Sequence, residues 1–222
     1  MLRNSSQFIT NMKKALITFV KAPVPGTVKT RLQKDLGKEK TLKVYKSFIA
    51  ETTSQFVRMK GIDRFLGCSP SKDHEFLREI AIKNNMTTFN QRGDDLGKKI
   101  VNAFRDYLKK GYTDIVLIGS DSPTIPKEYI SKAFKALEKN DFVVGPCCDG
   151  GMYLIGARKK IESRLFQNIP WDTSDVLNMV LEKLFRYDIR FSLLPFWYDV
   201  DNIDDFKFLK LHLQYLKKEL PL

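Results

Sequence analysis

The sequence predicts an α/β fold: a mainly parallel central sheet with helices on both faces. Three observations predict it. Seven apolar segments have the length of strands, amphipathic stretches fall between most of them, and no Pro/Ser-rich linker, repeat or low-complexity tract divides the 222 residues. A composition that is 43% hydrophobic supplies a sizeable core. We therefore expect one domain over residues 14–222, preceded by an extension over residues 1–13 that carries Arg3 and Lys13 and lacks the apolar stretch of a signal peptide.

In chain order, the expected strands are Ala15–Val20, Arg64–Cys68, Thr87–Phe89, Ile115–Gly119, Phe142–Pro146, Met152–Ile155 and Ile189–Leu194. Between the first two, Leu42, Tyr45, Ile49, Thr52, Phe56 and Met59 alternate spacings of three and four and form one apolar stripe on a helix. A second stripe is Ile100, Ala103, Phe104 and Tyr107, with Asp94 or Asp95 as its cap. Pro126 stands in the first turn of a third helix carrying Ile130, Ala133, Phe134 and Leu137. A fourth, capped by Thr173 or Ser174, carries Val176, Leu177, Val180, Leu181 and Leu184. The last carries Phe206, Leu209, Leu213, Leu216 and Leu220, and Asn202 with Asp205 has the spacing of a capping box.

Composition excludes several classes. The longest apolar runs are strand-sized, far below the ~20 residues of a membrane-spanning helix. With no signal sequence, a cytoplasmic protein is expected. Three cysteines, Cys68, Cys147 and Cys148, form no disulfide framework, and adjacent positions 147 and 148 on a strand point to opposite faces, a poor arrangement for joint chelation. A net charge of +12 favours acidic partners, but the cations are scattered rather than clustered as a nucleic-acid-binding face requires. A phosphorylated small molecule suits the charge equally well.

In open parallel sheets, ligands bind beyond the carboxyl ends of the strands, so the residues that follow each strand carry the chemistry. After the first strand come Lys21, Pro23, Pro25, Gly26, Lys29 and Arg31: a stiff turn, a glycine that permits close approach, and three cations able to meet phosphate oxygens. The spacing is neither that of a P-loop nor G-x-G-x-x-G. Gln91 and Gly93 precede the Ile100 helix, where they would face a base or ribose. After the fourth strand, Asp121 lies in Gly119-Ser-Asp-Ser-Pro123, placed as an oxygen ligand for Mg²⁺ or Mn²⁺ or as a turn starter. Asp149, Gly150 and Gly151 form either a hairpin turn or an acceptor-side site with Asp149 as a base. Trp171 is either a core residue or a sugar platform, beside Thr173. Capping explains Asn202 and Asp205 but not Asp199 and Asp201, which alternation aims at one side.

Six blocks, KAPVPGTVKTRL, QRGDDLG, VLIGSDSPTIP, GPCCDGGMYLIG, PWDTSDVL and YDVDNIDDF, spread from Lys14 to Phe206, resemble the small GT-A-type transferases known as radical-SAM/selenodomain-associated transferases or arsenosugar-biosynthesis glycosyltransferases. More distantly, the plan is similar to nucleotidyltransferases. The resemblance implies a nucleotide-diphospho-sugar transferase fold, with Lys21, Gly26, Lys29 and Arg31 in the nucleotide loop, Asp121 and Asp201 as ligands of Mg²⁺ or Mn²⁺, and Asp149, Gly150 and Gly151 on the acceptor side. Here Asn202 follows the final Asp in place of Thr, and Met152 replaces an aromatic. The expected activity is metal-dependent transfer from a nucleotide sugar to a small-molecule acceptor. Its rivals are nucleotidyl transfer from a nucleoside triphosphate to a phosphorylated acceptor, and a sugar-nucleotide-binding protein without turnover.

Overall fold

A computed structural model describes residues 12–219. Its centre is a seven-stranded sheet in the order β3-β2-β1-β4-β6-β5-β7. The strands are β1 (Lys14–Lys21), β2 (Ile62–Ser69), β3 (Thr87–Asn90), β4 (Asp114–Ile118), β5 (Phe142–Pro146), β6 (Met152–Arg158) and β7 (Phe191–Leu193). All neighbouring pairs are parallel except those made by β6, which runs against β4 and β5. The reversal has a local cause: β5 and β6 are joined by the short Asp149-Gly150 turn, which leaves no length for the crossover that a parallel pair needs.

Among the described residues, seven α-helices cover the sheet: α1 (Thr30–Leu36), α2 (Lys38–Ser54), α3 (Glu75–Lys83), α4 (Leu96–Lys109), α5 (Lys127–Leu137), α6 (Val176–Arg186) and α7 (Ile203–Tyr215). Alternation along β1 assigns the faces. Ala15, Ile17 and Phe19 pack against α4 and α6 through Ile100, Phe104, Val180 and Leu184. On the other face Leu16 meets α5 through Ile130 and Phe134, and Val20 meets α2, α3 and α7 through Phe48, Leu77 and Phe206. Each such buried Leu, Ile or Phe stabilises the fold by roughly 1.5–3 kcal/mol before entropy is counted. No helix among the described residues is long and apolar enough to cross a membrane.

Several expectations need correction. The stripe from Leu42 to Met59 outruns its helix: α2 ends at Ser54, and Phe56 is buried from the turns that follow. Turns can point apolar side chains inward as a helix does, so spacing alone did not mark the end. Pro126 is the residue before α5 rather than inside it, with an extended ψ of 138°. Neither Thr173 nor Ser174 caps α6. Asp175 holds that position without a side-chain cap, and Thr173 Oγ1 donates instead to Pro170 O at 2.9 Å. Helix α3 had no counterpart in the reading of the sequence. Leu220 and most of the expected extension lie outside the described residues.

Candidate active site

The strand order changes direction between β1 and β4, whose chain neighbours β2 and β5 lie on opposite sides, and a crevice forms beyond the carboxyl ends there. It opens as a cavity of about 720 Å³, the size of a small-molecule site, lined by residues from the turns after β1, β4, β5 and β7.

The turn after β1 is built by short hydrogen bonds: Val24 N to Ala22 O at 2.8 Å, and Thr27 Oγ1 to Val24 O at 3.0 Å. Gly26 supplies a φ of +85° that a side chain rarely adopts, and the turn ends on Lys29 in the left-handed region at φ 49° and ψ 48°. A non-glycine residue there costs about 1–2 kcal/mol. The conformation sends the Lys29 side chain inward, where it is 5% exposed.

Its ammonium meets both acidic residues. Lys29 Nζ lies 2.6 Å from Asp201 Oδ1, to which it donates a hydrogen bond, and 2.9 Å from Asp121 Oδ1. Three turns from distant parts of the chain thus share one cation. Their meeting is enforced by the backbone. After β7, Leu194 N donates to Val144 O at 2.9 Å, Trp197 N to Pro146 O at 3.1 Å, and Val200 N to Asp121 O at 2.9 Å. The extended segment is thereby fixed beside β5 and then beside the turn after β4. Immediately after it, Asn202 and Asp205 form the expected capping box of α7, and Asp205 Oδ2 also accepts from Asp201 N at 3.0 Å.

The charges respond to this packing. Burial alone would lower the Lys29 pKa, but the charges of Asp121 and Asp201 outweigh it and hold the ammonium above its ordinary value. Burial would raise Asp201, yet Lys29, with help from Arg31 and Lys21, keeps its carboxyl below the usual range. Asp199 goes the other way: burial, then the charge of Asp121, pushes it up, although Ser122 Oγ donates to its Oδ1. Tyr45 lies beneath the site, its hydroxyl accepting from Lys21 N at 3.0 Å, and burial followed by the charge of Asp121 pushes its pKa up to about 12.

Of the residues singled out in the sequence, Lys21, Lys29, Arg31, Gln91, Asp121, Asp149, Gly151, Trp171, Thr173 and Asp201 line the cavity, whereas Pro23, Gly26, Gly93 and Gly150 do not. Gly93 stands against the start of α4, where a Cβ would meet Lys99 N at 2.8 Å. The room left by the missing side chain of Gly150 is taken by the backbone of Ser174, and Gly150 O accepts from Leu177 N at 2.9 Å. Gln91 Nε2 donates to Gly67 O at 2.8 Å and Val20 O at 3.2 Å, tying the ends of β2 and β1. Asp149 Oδ1 accepts from Gly151 N at 2.9 Å, holding the hairpin turn. Trp171 is half-buried and stacked on Phe166, with centroids 6.2 Å apart and 18° between planes.

Alternation along the extended segment paired Asp199 with Asp201 without giving it a role, and it too lines the cavity. Tyr45, another lining residue, was not legible as one, since it sits in an apolar helical stripe like any core residue. Cys147 is buried and Cys148 exposed, as alternation requires, and the Cys147 thiol lies with Asp149 and Asp199 in a group whose donor atoms are all within 4.8 Å of one another.

The donor set suits a hard divalent cation. Asp121 Oδ1 and Asp201 Oδ1 already converge on a single positive charge, and buried Asp121 Oδ1 pairs with Lys29 without accepting an aligned hydrogen bond.

Comparison with known proteins agrees with this architecture. The crystal structure of a "putative nucleotide-diphospho-sugar transferase" from Desulfovibrio desulfuricans G20 is 32% identical, with a TM-score of 0.84 over 91% of this chain and 88% of that one. A cytidylyltransferase from Leptospira borgpetersenii serovar Hardjo-bovis (strain JB197) shares the fold at 17% identity and a TM-score of 0.56, covering 92% of this chain and 87% of its own. So does a 4-diphosphocytidyl-2C-methyl-D-erythritol synthase from Anaerococcus prevotii DSM 20548, at 16% identity and a TM-score of 0.58, covering 91% and 97%. No curated protein matches the sequence. Residues 52–173 match the family described as uncharacterized protein conserved in bacteria (DUF2064), more than half of the chain. With its nucleotide-diphospho-sugar transferase-like fold, the chain belongs to that family.

Proposed function

We propose that the protein is a metal-dependent transferase acting on a nucleotide-activated sugar. The observation that carries this reading is the convergence of Lys29, Asp121 and Asp201 at the switch point of the sheet, with Lys21 and Arg31 on the same cavity wall. Asp121 and Asp201 would hold Mg²⁺ or Mn²⁺. When bound, such an ion offsets the charge of a diphosphate and the charge that grows on it as a bond to it breaks.

The other roles belong to side chains. Exposed Lys21 and Arg31 are free to meet phosphate oxygens, Arg31 with two parallel donors. Asp149, exposed at the turn after β5, faces the cavity as acceptor-binding group or base. Trp171, which also lines the cavity, offers a ring to a sugar, beside Thr173.

Resemblance of the six sequence blocks to arsenosugar-biosynthesis glycosyltransferases, and the 32% identical relative, support glycosyl transfer. A second reading, transfer of a nucleotidyl group from a nucleoside triphosphate to a phosphorylated acceptor, is favoured by the cytidylyltransferases that share the fold. Incubation with panels of sugar nucleotides and nucleoside triphosphates, with Mg²⁺ or Mn²⁺ and phosphorylated and hydroxylated acceptors, separates them. Free nucleoside diphosphate is expected for glycosyl transfer. Pyrophosphate in its place establishes the second reading, and no product from either panel contradicts both.

A further inference from the structure

We propose that Lys29 is a resident counter-cation, occupying the point where Asp121 and Asp201 converge and giving that point up to a divalent ion only when a diphosphate arrives to receive its ammonium. The inference rests on the metal-dependent reading of this site and adds to it a coupling between metal and nucleotide.

Geometry and charge lead to it. The Lys29 ammonium is 2.9 Å from one carboxylate oxygen and 2.6 Å from the other, a fit that suits an N–H donor between two acceptors. Mg²⁺ holds its oxygens at about 2.1 Å, shorter than either contact Lys29 makes here, so an ion held by both carboxylates needs the nitrogen elsewhere. The two cations therefore compete for one position. Their competition is uneven in the nucleotide-free protein, because Lys29 is tethered and already desolvated, whereas Mg²⁺ has to shed water.

A diphosphate changes the balance. Lys21 and Arg31 lie close enough to Asp201 to lower its pKa, so the surroundings of the pair are already rich in positive charge. Adding a divalent ion alone raises that charge further. A diphosphate brings several negative charges, and the four-carbon stem of Lys29 allows its ammonium to swing from the carboxylates to phosphate oxygens without movement of the turn. Lys29 is thus a positioning residue in one state and a phosphate ligand in the other. Because the linkage is reciprocal, metal and diphosphate strengthen each other's binding.

Two measurements on the full chain test the inference. The first is Mn²⁺ affinity without nucleotide, read by electron paramagnetic resonance. Lys29→Gln is expected to bind on the order of tenfold more tightly than the wild type, and Lys29→Arg as weakly as the wild type. Equal affinities in wild type and Lys29→Gln overturn the competition and leave the metal-dependent reading standing. Absence of Mn²⁺ binding in both proteins, with inorganic pyrophosphate present as well, overturns both. The second does not depend on the Gln variant, since it uses wild-type protein and the charge-conserving Lys29→Arg variant for assignment. The Lys29 ammonium resonance in ¹⁵N-lysine-labelled protein, assigned by its loss in Lys29→Arg, is expected to shift when Mg²⁺ and pyrophosphate are added together. An unmoved resonance at concentrations that saturate the site shows that Lys29 stays with the carboxylates and contradicts the displacement.

Discussion

Replacing Asp121 or Asp201 by Asn preserves side-chain volume while removing one of the two charges that meet Lys29. If these carboxylates act in the reaction, each change lowers turnover by on the order of 10²-fold with the fold retained, as kcat and far-UV circular dichroism measured on the same samples would show. Arg31 makes a different kind of prediction, because it is exposed. Arg31→Ala is expected to weaken CDP or UDP binding by about tenfold in calorimetric titrations and to leave thermal unfolding unchanged. Unaltered nucleotide affinity would move the phosphate site away from this turn. At this scale the sequence was informative about residue type and poor about partners. Cations after β1 and aspartates after β4 and β7 were visible, but the pairing of Lys29 with two carboxylates is a product of tertiary packing that no local spacing records.

Strands β1, β4, β5 and β6 were legible because both faces of the sheet are covered there, which writes each as a short continuous apolar run, whereas β3 and β7 at the edges are only partly buried. α4, α5, α6 and α7 were legible from stripes that bury one side. By contrast, α1 buries only Leu32 and α3 only Leu77, Ile80 and Ala81, too few positions to stand out as a period. The capping box of α7 was visible in sequence and has a consequence in the fold, since Asp205 also binds the backbone N–H of Asp201. Asn202→Ala should cost about 1 kcal/mol of stability in urea unfolding. A cost near zero would mean that the cap does not hold this helix.

Asp114 at the start of β4 supplies a pH prediction away from the site. It is 0% exposed, its carboxylate oxygens accept no hydrogen bond, and Arg158 Nε is 3.4 Å away. Burial raises its pKa more than Arg158 and Lys14 lower it. The folded state therefore retains a proton that the unfolded state has released, and this group's contribution to stability falls as pH rises from the ordinary aspartate value through the raised one. Wild-type stability relative to Asp114→Asn should decline over that window in urea unfolding at stepped pH. A relative stability that rises with pH would reverse the sign and make the ion pair with Arg158 the stronger influence.

At the scale of the whole molecule, topology turns scattered motifs into a site. The β1–β4 switch point brings the turns after those strands together, and the hydrogen-bonded run from Leu194 to Val200 adds Asp199 and Asp201. The net charge of +12 suits the anionic substrates proposed for this cavity, through long-range steering that weakens with salt. The proposed function depends on Asp121 and Asp201 holding a divalent cation against a diphosphate. Crystals grown with Mn²⁺ and CDP, UDP or GDP in turn, examined at the manganese absorption edge, test that claim most directly. The account predicts an anomalous peak bound by both aspartates and by the diphosphate of at least one nucleotide. A nucleotide bound in this cavity with manganese elsewhere, or with Lys29 alone between the two carboxylates, would contradict it.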